Sequence, residues 1–303
     1  MILRLTAALL ALAAGAGAVV LAALVLQRTP GPVSTASAQL PAASTPSTPA
    51  PGFPAPPAGA VVFSREDGPD VLALGLVPHG SNVLAQVSIV GQQGTGVNGR
   101  TVSIGSTRAV ACGAGCYRAT VPRSKAIDVE VGGTRWSVPL PSPWPPPDAS
   151  AIVARATRVW RSLRSLAFSD HLGSDATHVV SSEWRTVAPN RVAYAIQGGY
   201  SAVIVGGTRW DRAPGGRWIA SPQTPQLKQP VPVWQSATDA HVIREIGATL
   251  SITFYDPRTP AWFAITVDAR TQRTFDLRMM TTAHFMHERY SSFDAPLSIV
   301  PPR

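Results

Sequence analysis

The hydrophobic positions of the chain begin with one uninterrupted uncharged run, Leu5–Leu26. Its 22 residues fit a membrane-spanning helix, which needs about 20, better than a signal-peptide core of about 7–15. The run predicts a single transmembrane anchor, or uncleaved signal, over residues 1–28. The rest of the chain would then lie on the extracytoplasmic side of the cell membrane. Ala36–Ala38 is an A-x-A triplet, so cleavage by a signal peptidase is the alternative.

Residues 29–60 show no hydrophobic periodicity. Nine prolines alternate there with Ser, Thr and Ala, a composition that cannot bury a core. We predict a disordered Pro-rich linker over 29–60. At about 3.1 Å per residue in polyproline geometry it would reach roughly 100 Å.

Short apolar runs separated by Gly, Pro and Asn turns follow over residues 61–141. Six or seven such runs in about 80 residues predict a small antiparallel Ig-like β-sandwich. Cys112 and Cys116 lie within it as Cys-Gly-Ala-Gly-Cys. In an exported protein this spacing predicts a disulfide that closes a tight loop, with a redox or metal pair as the alternative.

After a proline-rich boundary, residues 148–303 predict one amphipathic helix followed by antiparallel strands. Asp148 is the candidate N-cap, and apolar residues from Ile152 to Leu166 recur at helical spacing over about five turns. The alternating runs that follow predict a curved sheet packed on this long helix, so the fold class is mainly β. Such a sheet encloses either a core or an apolar cavity. The candidate groove residues are Trp160, Tyr194, Trp210, Trp262 and Phe275.

Composition and motifs limit the function. The formal net charge is +9, which favours acidic partners, but no basic cluster is interleaved with aromatics, so nucleic acid is not expected. The chain has no G-x-S-x-G, H-E-x-x-H or Walker motif. Asp256 and Asp268 fall in turns, which their Asx chemistry explains. We predict no enzyme and no organic cofactor.

A methionine- and histidine-rich segment, Met279–Glu288, suits a soft metal such as copper. On a strand, His284, Met286 and Glu288 share one face and His287 points away; on a helix, a different set would converge. The tentative copper ligands are His284, Met286 and His287. Met279 is expected to continue the inward face of Phe275 as core filler.

Two segments, Trp184–Arg191 and Gly206–Asp211, resemble the LolA/LppX-like half-barrel of exported lipoprotein carriers. Tyr255–Phe263 and Ala283–Tyr290 are similar to the C-terminal domain of actinobacterial copper-resistance (CopC/CopD-type) membrane proteins. The upstream unit more loosely resembles the Ig-like/FixH-like sandwiches that accompany them. The resemblance covers about half the chain. It implies an incomplete β-barrel wrapped on a helix, with a hydrophobic groove for acyl chains.

Three functions follow as hypotheses. The first is a membrane-anchored extracytoplasmic protein whose half-barrel holds a lipid or other apolar ligand, with lipid or a lipoprotein as partner. The second is a copper-handling envelope protein that uses the His/Met cluster beside a copper-transport membrane protein. The third is a structural or regulatory partner of an envelope complex.

Overall fold

The computed structural model describes residues 53–175 and 177–303. The predicted anchor, the Ala36–Ala38 triplet and residues 29–52 of the linker lie outside the described residues. Within the described part the chain is mainly β, as predicted, with one helix. No helix in that part combines the length and the apolar character needed to cross a bilayer.

The first unit is built from nine strands in two antiparallel sheets. A five-stranded sheet has the order β1-β2-β3-β7-β6, and a four-stranded sheet has the order β5-β4-β8-β9. Residues of both sheets, among them Leu74, Val87, Ile104 and Val129, share one buried core. The strands are β1 (Val61–Asp67), β2 (Asp70–His79), β3 (Asn82–Val90), β4 (Val102–Ile104), β5 (Thr107–Arg108), β6 (Val110–Gly113), β7 (Cys116–Pro122), β8 (Ala126–Val131) and β9 (Thr134–Pro139).

The disulfide prediction is confirmed. Cys112 and Cys116 are bonded across the β6–β7 turn, with Cα atoms 5.0 Å apart. Gly115 lies in this turn at φ +64°, and a Cβ there would fall 2.3 Å from the carbonyl oxygen of Ile89. Only glycine therefore lets the loop close against β3.

The second unit consists of helix α1 (Ser150–Ser162) and one open antiparallel sheet of eleven strands. The strand order is β15-β14-β13-β12-β11-β10-β20-β19-β18-β17-β16, so β10 is central and pairs with the last strand. The strands are β10 (Ser165–Asp175), β11 (His178–Val187), β12 (Arg191–Ile196), β13 (Ser201–Val205), β14 (Thr208–Arg212), β15 (Ile219–Pro222), β16 (Thr238–Ile246), β17 (Thr249–Asp256), β18 (Ala261–Asp268), β19 (Thr274–Thr281) and β20 (His284–Ser291).

The helix is shorter than predicted. It spans 13 residues, and Leu163 already has extended backbone, with ψ of 137°. Leu166 belongs to β10 but is buried in the same core as Trp160, which explains why the apolar spacing continued past the helix end. The N-cap is Ala149 rather than Asp148. Asp148 instead accepts a hydrogen bond from the Ser150 hydroxyl at 2.7 Å.

The two units are packed together through a separate apolar cluster. Tyr255, Trp262 and Phe285 from the second unit lie against sandwich residues that include Val62 and Val71. Phe53 stacks on this cluster, with its ring centroid 5.5 Å from that of Trp262. Residues 53–60, which the sequence assigned to the disordered linker, are thus part of the packed body. The Ser88 hydroxyl holds them by donating to the Pro54 carbonyl at 2.6 Å.

Candidate functional site

The large sheet has two faces, which we call the helix face, on which α1 packs, and the outer face. The pairing register assigns side chains to them, because directly paired residues project to the same side. Phe168 of β10 pairs with Tyr290 on one side and Trp184 on the other, and Trp184 pairs with Tyr194. These four aromatic residues therefore lie in one line across the helix face.

This line continues onto α1 and the following loop and forms what we call the aromatic row. Trp160 of α1 lies edge-on to Tyr290, with ring centroids 4.5 Å apart, and to Trp234, at 5.4 Å. Phe168 is 5.5 Å from Tyr290 and 5.6 Å from Trp184. Trp184 stacks on Tyr194 at 4.3 Å. The row thus comprises Trp234, Trp160, Tyr290, Phe168, Trp184 and Tyr194.

The aromatic row is covered by α1 and by the connection between β15 and β16. These strands form opposite edges of the sheet, so the connection, residues 223–237, must cross it; we call it the strap. Leu227 of the strap packs on the cluster around Trp184 and Tyr194. Further along, the Trp234 indole N–H donates to the Thr157 hydroxyl of α1 at 2.9 Å.

Two acidic side chains lie on the helix face beside the aromatic row. Asp170 of β10 pairs directly with Glu288 of β20, and they are only 3% and 2% exposed. Ser182 donates to Asp170 at 3.3 Å, and the Tyr290 hydroxyl donates to Glu288. The second Asp170 oxygen, Oδ1, is buried without a hydrogen-bond partner. We call Asp170 and Glu288 the acid pair.

Burial controls the ionisation of the acid pair. Loss of hydration disfavours the charged form and raises the pKa of Asp170 to about 7, against the weaker opposing effect of the Ser182 hydroxyl. Burial also raises the pKa of Glu288 well above its usual range, and the neighbouring Asp170 charge adds to this shift. The pair consequently retains at least one proton at neutral pH.

A buried guanidinium lies at the far end of the aromatic row. Arg209 of β14 pairs with Ile204 and so projects onto the helix face. Its Nε and Nη2 donate to Asp211 at 2.6–2.8 Å, and Nη2 also donates to the Tyr194 hydroxyl at 2.8 Å. Its Nη1 is buried without a partner. The charge is neutralised by Asp211, but one donor is left free for another group.

The outer face carries a separate cavity of about 440 Å³. Its floor is made of small side chains on β10, β12 and β13, including Ala167, Ala193 and Val203. Arg212 and Trp218 complete the lining, with the guanidinium carbon 4.6 Å from the Trp218 ring centroid. This cavity lies on the opposite side of the sheet from the aromatic row.

The predicted groove residues are divided between these faces. Trp160 and Tyr194 lie in the aromatic row. Trp210 pairs with Val203 and projects to the outer face, and Trp262 is buried against the sandwich. Phe275 is 36% exposed because a β-bulge follows the pair Thr266–Asp276. The bulge turns Thr274 inward, so Phe275 does not continue the inward face of Met279 as expected.

The predicted copper ligands do not converge. His284, Met286 and His287 all lie on β20, where the strand alternative holds. Met286 is buried in the core under α1, whereas His287 faces outward and bonds Asp276 at 2.8 Å. The described residues contain no group of three His, Cys, Asp or Glu side chains arranged to hold a metal ion. The geometry therefore does not favour a copper function.

The sequence-based reasoning missed the acid pair and Arg209. Asp170 has the same parity as Leu166, Phe168 and Leu172 on its strand, and Glu288 has the same parity as Met286. A charged residue at an inward-facing position was thus visible in the alternation. Which acid would lie opposite which was not visible, since the pairing of β10 with β20 spans more than a hundred residues.

Solved structures with a similar fold exist. The crystal structure of LprF from Mycobacterium bovis is 11% identical, covers 54% of this chain and 99% of its own, and superposes with a TM-score of 0.36. A LolA superfamily protein from Nitrosomonas europaea is 10% identical, covers 49% of this chain and 94% of its own, and gives a TM-score of 0.25. No family model matches the chain, and no curated protein matches it.

Proposed function

We propose that this protein binds an apolar ligand on the helix face, along the aromatic row, and acts by binding rather than by catalysis. The ligand would lie between the sheet and its cover of α1 and strap. Its apolar body would contact the rings from Trp160 to Tyr194.

The observation that carries this proposal is a set of buried polar atoms without partners on an otherwise apolar face. They are Trp160 Nε1, Asp170 Oδ1 and Arg209 Nη1. An ordinary core avoids such groups, because each costs about 1–3 kcal/mol. Three of them along one row are better explained by a bound molecule that supplies the missing hydrogen bonds.

The strap offers the way in. Near Leu227 it is held by few polar contacts: Asn190 Nδ2 donates to Gln226 Oε1 at 3.0 Å, and Gln229 N–H donates to the Pro189 carbonyl at 2.9 Å. Its other end is fixed by the buried Trp234. We infer that the Gln226 end lifts to admit the ligand while the Trp234 end stays in place.

A reversible lock on the strap tests this route. Asn190→Cys and Gln226→Cys together place two thiols where the side chains now meet. We expect the protein to take up a fluorescent long-chain acyl probe, with quenching of tryptophan emission. The oxidised double variant should take up little probe, and reduction should restore uptake. Wild-type protein with and without reductant controls for Cys112–Cys116. Absence of uptake by wild-type protein would refute the binding function itself.

We also propose that residues 1–28 anchor the body to the outer side of the cell membrane. The uncharged length of Leu5–Leu26 and the disulfide, a bond typical of oxidising compartments, support this location. Sequencing the N-terminus of the mature protein tests it: a start after Ala38 would mean a released carrier rather than a tethered one. Stable co-purification of another membrane protein without any bound lipid would instead favour the role of an envelope-complex partner.

A further inference from the structure

We propose that the acid pair recognises a cationic head group, so that the ligand of the helix face is an amphiphilic amine. This inference rests on the proposed function and specifies its ligand class. The ammonium nitrogen would lie at Asp170 Oδ1, and the alkyl body would extend along the aromatic row.

The surroundings of the acid pair lack a positive charge. Its hydrogen-bonding neighbours are the neutral hydroxyls of Ser182 and Tyr290. The strand beyond Glu288 presents Leu277, and α1 presents Trp160 against Tyr290. Arg209, the buried guanidinium of this face, is already engaged by Asp211. Two buried acids with no cation opposite them form a site that is electrostatically incomplete.

The rings beside the acid pair favour an organic cation over a metal ion. Phe168 and Tyr290 occupy the neighbouring positions on the two strands that carry the pair, two residues from Asp170 and Glu288. Aromatic faces attract alkylammonium groups by cation–π interaction, by about 0.5–2 kcal/mol per ring. A hard metal ion would need six or more oxygen ligands. An anionic head group would be repelled by the acids.

Binding of an amine must also displace a proton. Without ligand the pair holds at least one proton at neutral pH, since burial raises the pKa of both acids. An ammonium ion that enters favours the carboxylate, so the proton leaves to solvent. The affinity for the amine should therefore rise about tenfold per pH unit below pH 7 and level off above it.

The test compares dodecylammonium with 1-dodecanol, which has the same chain and no charge. At pH 8 the wild-type protein should bind the amine at least about tenfold more tightly, equivalent to about 1.4 kcal/mol. The double variant Asp170→Asn/Glu288→Gln should lose this preference and keep its affinity for dodecanol. Glu183→Gln, on the outer face, is the matched control and should retain the preference.

The outcomes separate this inference from the proposed function. If dodecanol and the amine both fail to bind, the binding function itself is refuted. If dodecanol binds but the amine is not preferred, or the preference survives in the double variant, the cation site is refuted. Should the double variant not fold, the wild-type protein still decides. Calorimetry in buffers of different ionisation enthalpy must show release of about one proton on amine binding, and a pH-independent affinity would overturn the proposal.

Discussion

At the scale of single residues, Asp170 gives the fold an unusual dependence on pH. An unfolded Asp has a pKa near 3.9, and burial raises the folded pKa to about 7. Between these values the folded state binds more protons than the unfolded state. The free energy of unfolding therefore falls as pH rises, by up to about 1.4 kcal/mol per pH unit, and the contribution of the protonated acid is lost as pH passes 7.

The variant Asp170→Asn should remove most of this slope. The amide keeps the shape of the side chain and needs no proton, so we expect the variant to match or exceed the stability of the wild-type protein at pH 8. Urea unfolding between pH 5 and 8 measures both curves. Glu183→Gln removes an exposed acid from β11 and should leave the slope in place. A wild-type stability that is flat across this range would contradict the assignment.

Residue-scale predictions from the sequence succeeded where only alternation was needed. His287 points away from Met286 because strand parity requires it. Phe275 did not follow, because the parity of β19 changes at a bulge that no local residue type marks. Tyr194 and Trp210 were expected together, yet the intervening hairpin sets them on opposite faces.

At the scale of elements, Asp256 fixes one end of the strap. The sequence accounted for it as a turn residue, and its Oδ1 does accept the Arg258 N–H at 2.9 Å. It also accepts the backbone N–H of Gln235 at 2.7 Å and the Ser236 hydroxyl at 2.5 Å. The side chain therefore ties the strap to the β17–β18 turn, a contact that the local sequence could not reveal.

Replacing Asp256 with alanine should accordingly cost more than a turn residue usually does. Several buried donors would lose their acceptor, and we expect a loss of about 3 kcal/mol or more in the free energy of unfolding. Asp268→Ala is the matched control, because Asp268 bonds only its own turn at Arg270 and Thr271. Equal losses in denaturant unfolding would show that the strap contact contributes nothing.

Trp234 anchors the same end of the strap through packing. Its ring lies among Trp160, Phe254 and Phe263 under α1. Trp234→Ala should destabilise the protein by about 3–5 kcal/mol, as expected for deletion of a large core aromatic. Trp218→Ala, which removes an indole from the outer face, should have a much smaller effect. Thermal unfolding followed by circular dichroism compares the two variants.

At the scale of the whole molecule, the sequence predicted the two units but not how they meet. Each unit follows from local periodicity and turn residues. Their interface depends on Tyr255, Trp262 and Phe285, which look like ordinary alternating strand residues until the sandwich covers the outer face. The aromatic character of Phe53 gave no sign that a Pro-rich segment would pack here. Its order shortens any tether to residues 29–52, or about 75 Å in polyproline geometry.

Because this interface is apolar and includes the end of the linker, we expect the two units to unfold together in a single calorimetric transition. Trp262→Ala removes the ring that contacts both Phe53 and Tyr255, which should separate the transition into two. Phe53→Ala should do the same more weakly, since the ring is partly exposed. Phe275→Ala is the control, as it deletes an aromatic ring of the same sheet outside the interface cluster. Two transitions in the wild-type protein, or one in the Trp262 variant, would show that the cluster does not couple the units.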